Sequence, residues 1–138
     1  MAKKVPRPKI VPGETTCITT GCGKLYITLN VTPDTAELIE VFCHLGKAGG
    51  CAVSQLEAIT RLITLCLRYG IPKEEWIKQL ANIRCPSQSI DNGIPIYSCA
   101  DAIAKATSEA FGIKLGPAPS LMQEQIYEEH NEHGTVDS

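Results

Sequence analysis

Residues 24–45 read KLYITLNVTPDTAELIEVFCHL. The first eight alternate strictly, with Leu25, Ile27, Leu29 and Val31 on one side and Lys24, Tyr26, Thr28 and Asn30 on the other. A period of two with one apolar side is the pattern of a half-buried strand. The TPDT stretch (32–35) is a turn, and Ile39, Val41, Cys43 and Leu45 then share one side of a second strand. So short a link predicts an antiparallel hairpin, extended by residues 15–20 as a third strand.

Working outward, the period changes. In SQLEAITRLITLCLRYG (54–70), Leu56, Ile59, Leu62, Ile63, Cys66 and Leu67 fall on one helical stripe. Ser54 and Glu57 form an S-x-x-E capping box, which predicts a helix start at Ser54. Gly70 is placed to end that helix. Pro72 opens a second helix over PKEEWIKQLANI (72–83), with acidic residues in its first turn as the dipole prefers. RCPSQSIDNGIPIY (84–97) reads as a loop. Ser98 and Asp101 then repeat the cap pattern for a third helix over CADAIAKATSEAF (99–111), closed by Gly112. Strands first and helices after predict an α+β fold: a small antiparallel sheet of two or three strands packed by about three helices. The expected organisation is an extended basic arm (1–14), one domain (15–112) and a mobile acidic tail (113–138), with a short helix over Leu121–Glu129 as the less favoured alternative to a mobile tail.

The chain has 138 residues, 43% apolar and 20% charged, the balance of a globular protein with a real core. Its net charge of −2 argues against a general electrostatic surface for nucleic acid or acidic membranes. The basic start MAKKVPRPK leads into no apolar signal region, and no apolar run approaches the roughly 18 residues of a membrane span. The expected location is the cytoplasm, of a bacterium or of a virus-infected host cell.

Seven cysteines without an export signal predict reduced thiols rather than a disulfide framework. Cys43 and Cys66 lie on apolar stripes and read as core, and Cys17 is an extra ligand candidate. Cys22 (TGCGK), Cys51 (KAGGC), Cys85 (IRCPS) and Cys99 (YSCAD) all fall at the ends of elements. Two of them, Cys51 and Cys99, are near helix N-termini, where the dipole favours a thiolate. Four thiolates suit zinc or an iron–sulfur cluster. The chain has no CxxC pair, so four unlinked loop cysteines stay open as the alternative.

The stretches TGCGKLYITLN, EVFCHLGKAGGC, EAITRLITLCLRYGIPKEEWIKQLANIRCPS and SCADAIAKA resemble the TSCPD domain. That domain is found at the C-terminus of adenosylcobalamin-dependent (class II) ribonucleotide reductases and in short stand-alone proteins. The likeness runs over about residues 8 to 111. The signature stands here as YSCAD, with Ala100 in place of proline and Tyr97 in place of threonine. The resemblance implies that Cys22, Cys51, Cys85 and Cys99 form one metal site, with zinc the expected ion and an iron–sulfur cluster the alternative. It implies a binding or accessory role, with a reductase subunit as partner. It also implies that this chain alone has no radical barrel and holds no cobalamin. A homology-derived label of ribonucleoside-diphosphate reductase could therefore not describe it acting by itself.

A rival reading rests on GKAGG (46–50). It is no Walker A loop, because its lysine precedes the glycine pair. Lys47, Gly49, Gly50 and Arg61 could nonetheless bind a nucleotide or phosphate, which would make the protein a nucleotide-binding regulator. A thiol redox carrier is the other rival. His44 reads as solvated, His130 and His133 as inert in the tail, and Trp76 as packing. Nucleic acid is the less favoured partner, and homo-oligomers are left open.

Overall fold

A computed structural model describes residues 3–46 and 50–116. The hairpin expected around residues 24–45 is the centre of the fold. Strands β1 (Gly13–Thr20), β2 (Gly23–Val31) and β3 (Leu38–Leu45) form an antiparallel sheet in the order β1-β2-β3. The alternation places Leu25, Ile27 and Leu29 inward, and they join Ile18, Val41 and Leu45 in the core. The other face is polar, with Thr15 and Thr28 sharing a 2.8 Å hydroxyl contact across the strands.

β3 is an edge strand, and its edge is not left bare. Thr64 reaches over from the next helix, its hydroxyl accepting from the Val41 N–H at 3.1 Å and donating to the Val41 carbonyl at 3.3 Å. Edge groups satisfied in this way cannot template further pairing. Strict alternation breaks at Glu40, which is only 3% exposed. Arg7 of the N-terminal arm closes on its carboxylate at 2.8 and 2.9 Å, and Asn30 donates at 2.8 Å. These bonds, led by the one from Arg7, hold the Glu40 carboxyl below the usual carboxylate range. The arm is fastened again where the Val5 N–H donates to the Arg68 carbonyl and Arg68 Nε to the Val5 carbonyl.

Helix α1 spans Gly50–Arg68, four residues earlier than the capping box predicts. Ser54 donates back to the Cys51 carbonyl (2.9 Å) and Glu57 pairs with Arg61 (2.7 Å), so neither side chain caps the helix. The helix ends as expected at Gly70 (φ +80), with the Ile71 N–H donating to the Cys66 carbonyl and Gly70 N–H to Leu67. The predicted stripe is only partly buried. Leu56 and Ile63 are inside, whereas Leu62 is 63% exposed. Leu62 stands about 100° round the helix from Ile63, on a side that no element covers among the described residues. By length and composition α1 could also cross a membrane. This departs from the expectation that no apolar run reaches that limit, since Glu57 and Arg61 are too few to offset the apolar residues around them.

Helix α2 (Lys73–Leu80) follows Pro72, which is the N-cap rather than the first helical residue, and stops three residues before the predicted end. Ala81 turns extended and Asn82 adopts φ +64. Residues 84–97, expected as loop, contain a hairpin of β4 (Ser89–Asp91) and β5 (Ile94–Ile96). Asn92 and Gly93 both have positive φ (47° and 79°), as a tight primed turn requires. Helix α3 (Cys99–Ala110) is capped by Ser98, whose hydroxyl accepts the Asp101 N–H at 3.0 Å. Gly112 closes it, with the Ile113 N–H donating to the Ser108 carbonyl. α3 lies against β1 and β2, and α1 against β3. Trp76 and Ile77 of α2 complete the core, though the buried Trp76 Nε1 has no hydrogen-bond partner among the described residues. Ile113 and Leu115 also pack on the core, beyond the domain end expected at residue 112.

Candidate functional site

One corner of the molecule gathers thiols from three separate segments. Cys22 sits in the turn between β1 and β2, Cys85 in the loop after α2, and Cys99 on the first turn of α3. The turn and the loop meet through a contact only glycine permits. A Cβ on Gly21 would stand 1.9 Å from the Ser87 carbonyl oxygen, well inside any tolerable approach. The short β4–β5 hairpin braces the same junction. Asp91 accepts the Thr19 N–H at 3.0 Å, and the Ser89 hydroxyl donates to the Thr19 carbonyl at 2.7 Å.

Thr20 is the hub of the turn. Its hydroxyl donates to the Gly23 carbonyl (2.7 Å) and accepts the Cys22 N–H (3.2 Å), and the Cys99 thiol approaches it at 3.7 Å. Asp101 holds the other two segments. It is fully buried, and its carboxylate accepts from the Asn82 N–H (2.7 Å), the Tyr97 N–H (2.9 Å) and Lys105 Nζ (2.7 Å). Tyr97 in turn accepts the Cys85 N–H on its carbonyl at 2.9 Å. A single carboxylate thus fixes both the chain leading to Cys85 and the helix carrying Cys99. Lys105 completes the arrangement, its ammonium 4.4 Å from the Tyr97 ring centre.

The electrostatics of Cys99 record its neighbours. Burial pushes its thiol up, the Thr20 hydroxyl pulls it down, and Cys22 and Cys85 push it up again. These contributions oppose the helix N-terminus, which favours a thiolate at Cys99. Cys43 belongs to the same neighbourhood. Burial first, and Cys99 second, push its thiol up to about 12. Cys43 and Cys66 both pack against the core as expected.

The four cysteines predicted at element ends therefore separate. Cys22, Cys85 and Cys99 come together, while Cys51 is exposed on the first turn of α1. Among the described residues no group of three His, Cys, Asp or Glu side chains is drawn in to metal-ligand geometry. The donor set is nonetheless chemically suited to a soft cation, since the exposed Cys22 and the half-buried Cys85 and Cys99 share a corner where their thiolates would repel one another without one. Cys17 is exposed on β1, away from the core face. His44 is exposed, as expected.

Of the rival phosphate site, Gly50 and Arg61 lie among the described residues and are well separated. Gly50 (φ +81) begins α1, and Arg61 lies eleven positions along it, about 16 Å away at 1.5 Å per residue. Arg61 is ion-paired with Glu57 and lines a cavity of about 540 Å³ between α1 and β3, together with Lys4 and Arg68. Lys47 and Gly49 lie outside the described residues, as do His130, His133 and the Leu121–Glu129 segment.

Sequence reasoning missed the β4–β5 hairpin that braces the corner. Its signal is Asn92-Gly93 between two isoleucine-bearing runs. In the structure Pro95 sits in a two-stranded ribbon, where a missing N–H is tolerated.

This small α+β domain with a cysteine-lined corner matches the TSCPD domain over residues 2–111, and the chain belongs to that family. Its relatives include the vitamin B12-dependent ribonucleotide reductase of Streptantibioticus cattleyicolor, 35% identical over 77 residues, which are 56% of this chain and 13% of that protein. The enzymes of the same description from Streptomyces clavuligerus and Streptomyces coelicolor are equally similar over 8% of their length. The chain thus matches about a tenth of these reductases. No solved structure matches it.

Proposed function

We propose that this chain is a zinc-binding accessory module of a vitamin B12-dependent ribonucleotide reductase, with Cys22, Cys51, Cys85 and Cys99 as ligands. The supporting observation is the convergence of Cys22, Cys85 and Cys99 from segments up to 77 positions apart, in a corner built by Gly21, Thr20 and Asp101. A bound divalent ion would supply the positive charge that turns crowded neutral thiols into thiolates, and with it folding stability. The chain's own part is to hold the three sulfurs close before the ion arrives. Cys51 is the fourth ligand by family likeness, and Cys43 is its competitor by position. The role is binding rather than catalysis, exerted on a reductase chain.

Elemental analysis of freshly isolated protein tests this reading. One zinc per chain is expected, lost in Cys22→Ser, Cys85→Ser and Cys99→Ser, with Cys51→Ser against Cys43→Ser naming the fourth ligand. Metal-free protein from a zinc-replete preparation overturns the reading, and visible absorbance from iron and sulfide replaces zinc with a cluster. A rise in melting temperature with deoxynucleotides would favour the nucleotide reading instead. Co-purification with a B12-dependent reductase whose own TSCPD region has been deleted tests the partner.

A further inference from the structure

The cavity between α1 and β3 has a built cationic rim. Arg61 and Arg68 both line it. Seven positions is close to two helical turns, so the two stand on the same side of α1, about 10 Å apart along it. Lys4 joins them from the N-terminal arm. Two anchors hold the arm there: Val5 is doubly bonded to Arg68, and Arg7 clamps the buried Glu40. The one carboxylate in the lining among the described residues, Glu57, is already closed on Arg61. Beside these charges the exposed Phe42, Val53 and Leu65 give the cavity an apolar wall. Such a groove fits a segment that is acidic and apolar at once.

The chain carries such a segment. Residues 117–138 lie outside the described residues. Their sequence holds Glu124, Glu128, Glu129, Glu132 and Asp137 and no lysine or arginine, which leaves residues 1–116 with 13 basic against 10 acidic side chains. Met122, Ile126 and Tyr127 stand among the glutamates. The described chain also ends on the appropriate side. Lys73 Nζ is 5.0 Å from the ring centre of Phe111, at the end of α3. Lys73 follows Arg68 by only five positions through the Gly70 turn, so the ends of α3 and α1 are neighbours. The 22 residues beyond Gly116 reach up to about 70 Å, against roughly 35 Å for the diameter of a domain of this size. A tethered segment meets its site at an effective concentration in the millimolar range, so a contact too weak for a free peptide is populated within one chain.

We infer that residues 121–132 close over the cavity between α1 and β3 of their own chain. Their carboxylates meet Lys4, Arg61 and Arg68, and their apolar side chains meet Phe42, Val53 and Leu65. The ion pairs face solvent, so salt opens the contact, the screening length falling from about 10 Å at 0.1 M to about 3 Å at 1 M. None of the four proposed zinc ligands takes part, so the closure stands or falls separately from the zinc reading.

Amide spectra of the full chain test it. Replacing Glu124, Glu128, Glu129 and Glu132 together by Gln should move the signals of Val53, Leu65 and Arg68 and leave those of Cys99 and Ala102 in place. Amide relaxation at low salt should show residues 121–132 tumbling with the domain. Lys4→Glu with Arg61→Glu should release them, with circular dichroism unchanged. Adding Glu124→Lys and Glu128→Lys to that background should restore the closure by swapping the charges. Unmoved signals at Val53, Leu65 and Arg68, or residues 121–132 relaxing as free chain in the wild type, overturn the inference. So do shifts that grow with protein concentration, which would seat the segment on a second copy. A charge swap that fails to restore slow relaxation overturns the assigned ion pairs.

Discussion

α1 and α3 are both amphipathic helices of one small domain, yet the sequence spends them differently. α3 has twelve residues, seven of them buried, and α1 has nineteen with three buried. α3 is fastened to the chain before it through its own Asp101, which accepts the backbone N–H groups of Asn82 and Tyr97, and through the cap at Ser98. α1 is held along one side only, against β3, with Thr64 stitching the strand edge. A helix with its surroundings fixed can place a reactive residue, and Cys99 rides on such a helix. A helix with an apolar side left open can meet another surface. Burial per residue, rather than length or hydropathy, separates the two roles.

The contrast breaks most readily at Asp101. Asp101→Ala takes the carboxylate from Lys105, which keeps the Pro95 carbonyl, and leaves the Asn82 and Tyr97 N–H groups without their acceptor; breaking a buried pair of this kind costs about 3–5 kcal/mol. Urea unfolding should show the loss, and a change under about 1 kcal/mol would mean that α3 is not held as described. Ile103, fully buried on α3, comes next: Ile103→Ala should cost about 2–5 kcal/mol by the same assay. Gly21→Ala tests the corner rather than the helix. Its new Cβ collides with the Ser87 carbonyl, so the β1–β2 turn must part from the Cys85 loop. The expected cost is about 1–3 kcal/mol, with faster thiol modification of Cys99 by a disulfide reagent as the specific sign. Unchanged Cys99 reactivity would count against the corner as a packed unit.

Much of this was legible in the sequence because local chemistry and tertiary structure agree there. The alternation of Leu25, Ile27 and Leu29, the glycine stops at Gly70 and Gly112, and the Ser98 cap are short-range signals that the fold honours. The position of Cys22, Cys51, Cys85 and Cys99 at element ends was legible, and three of the four come together. What was hidden depends on partners distant in sequence. The burial of Glu40 needs Arg7, 33 positions away. The start of α1 contradicts its own capping box, since Glu57 finds a better partner in Arg61. Leu62 fits the helical stripe by number, and only the absence of a second layer beside α1 among the described residues leaves it outside. The neighbourhood of Cys43 and Cys99 arises from a strand facing a helix, which no spacing in the chain encodes.

Cys43 provides a smaller and pH-dependent effect on the sheet side. Its folded thiol is pushed up to about 12 from an ordinary value of 9.0. Between those values the unfolded chain releases a proton that the folded chain keeps. The unfolded state then binds fewer protons, so stability is intact below pH 9 and falls as pH rises toward 12. Urea midpoints of metal-free protein should drop across that window, and Cys43→Val, close in size and without a proton to lose, should flatten the slope. An equal slope in the variant would assign the alkaline loss to other groups.

The smallest expected effect is the most telling for the comparison. Leu62 and Ile103 are both aliphatic residues on helical stripes, and hydropathy alone would rank them together. Ile103 is fully buried and Leu62 is 63% exposed. In dilute protein, where α1 faces water, Leu62→Ser should shift stability by no more than about 0.5 kcal/mol, the range of exposed positions without a special contact. That is several-fold less than Ile103→Ala. A Leu62→Ser cost above about 2 kcal/mol in dilute solution would mean that α1 packs as deeply as α3, and the division of labour between the two helices would then fail.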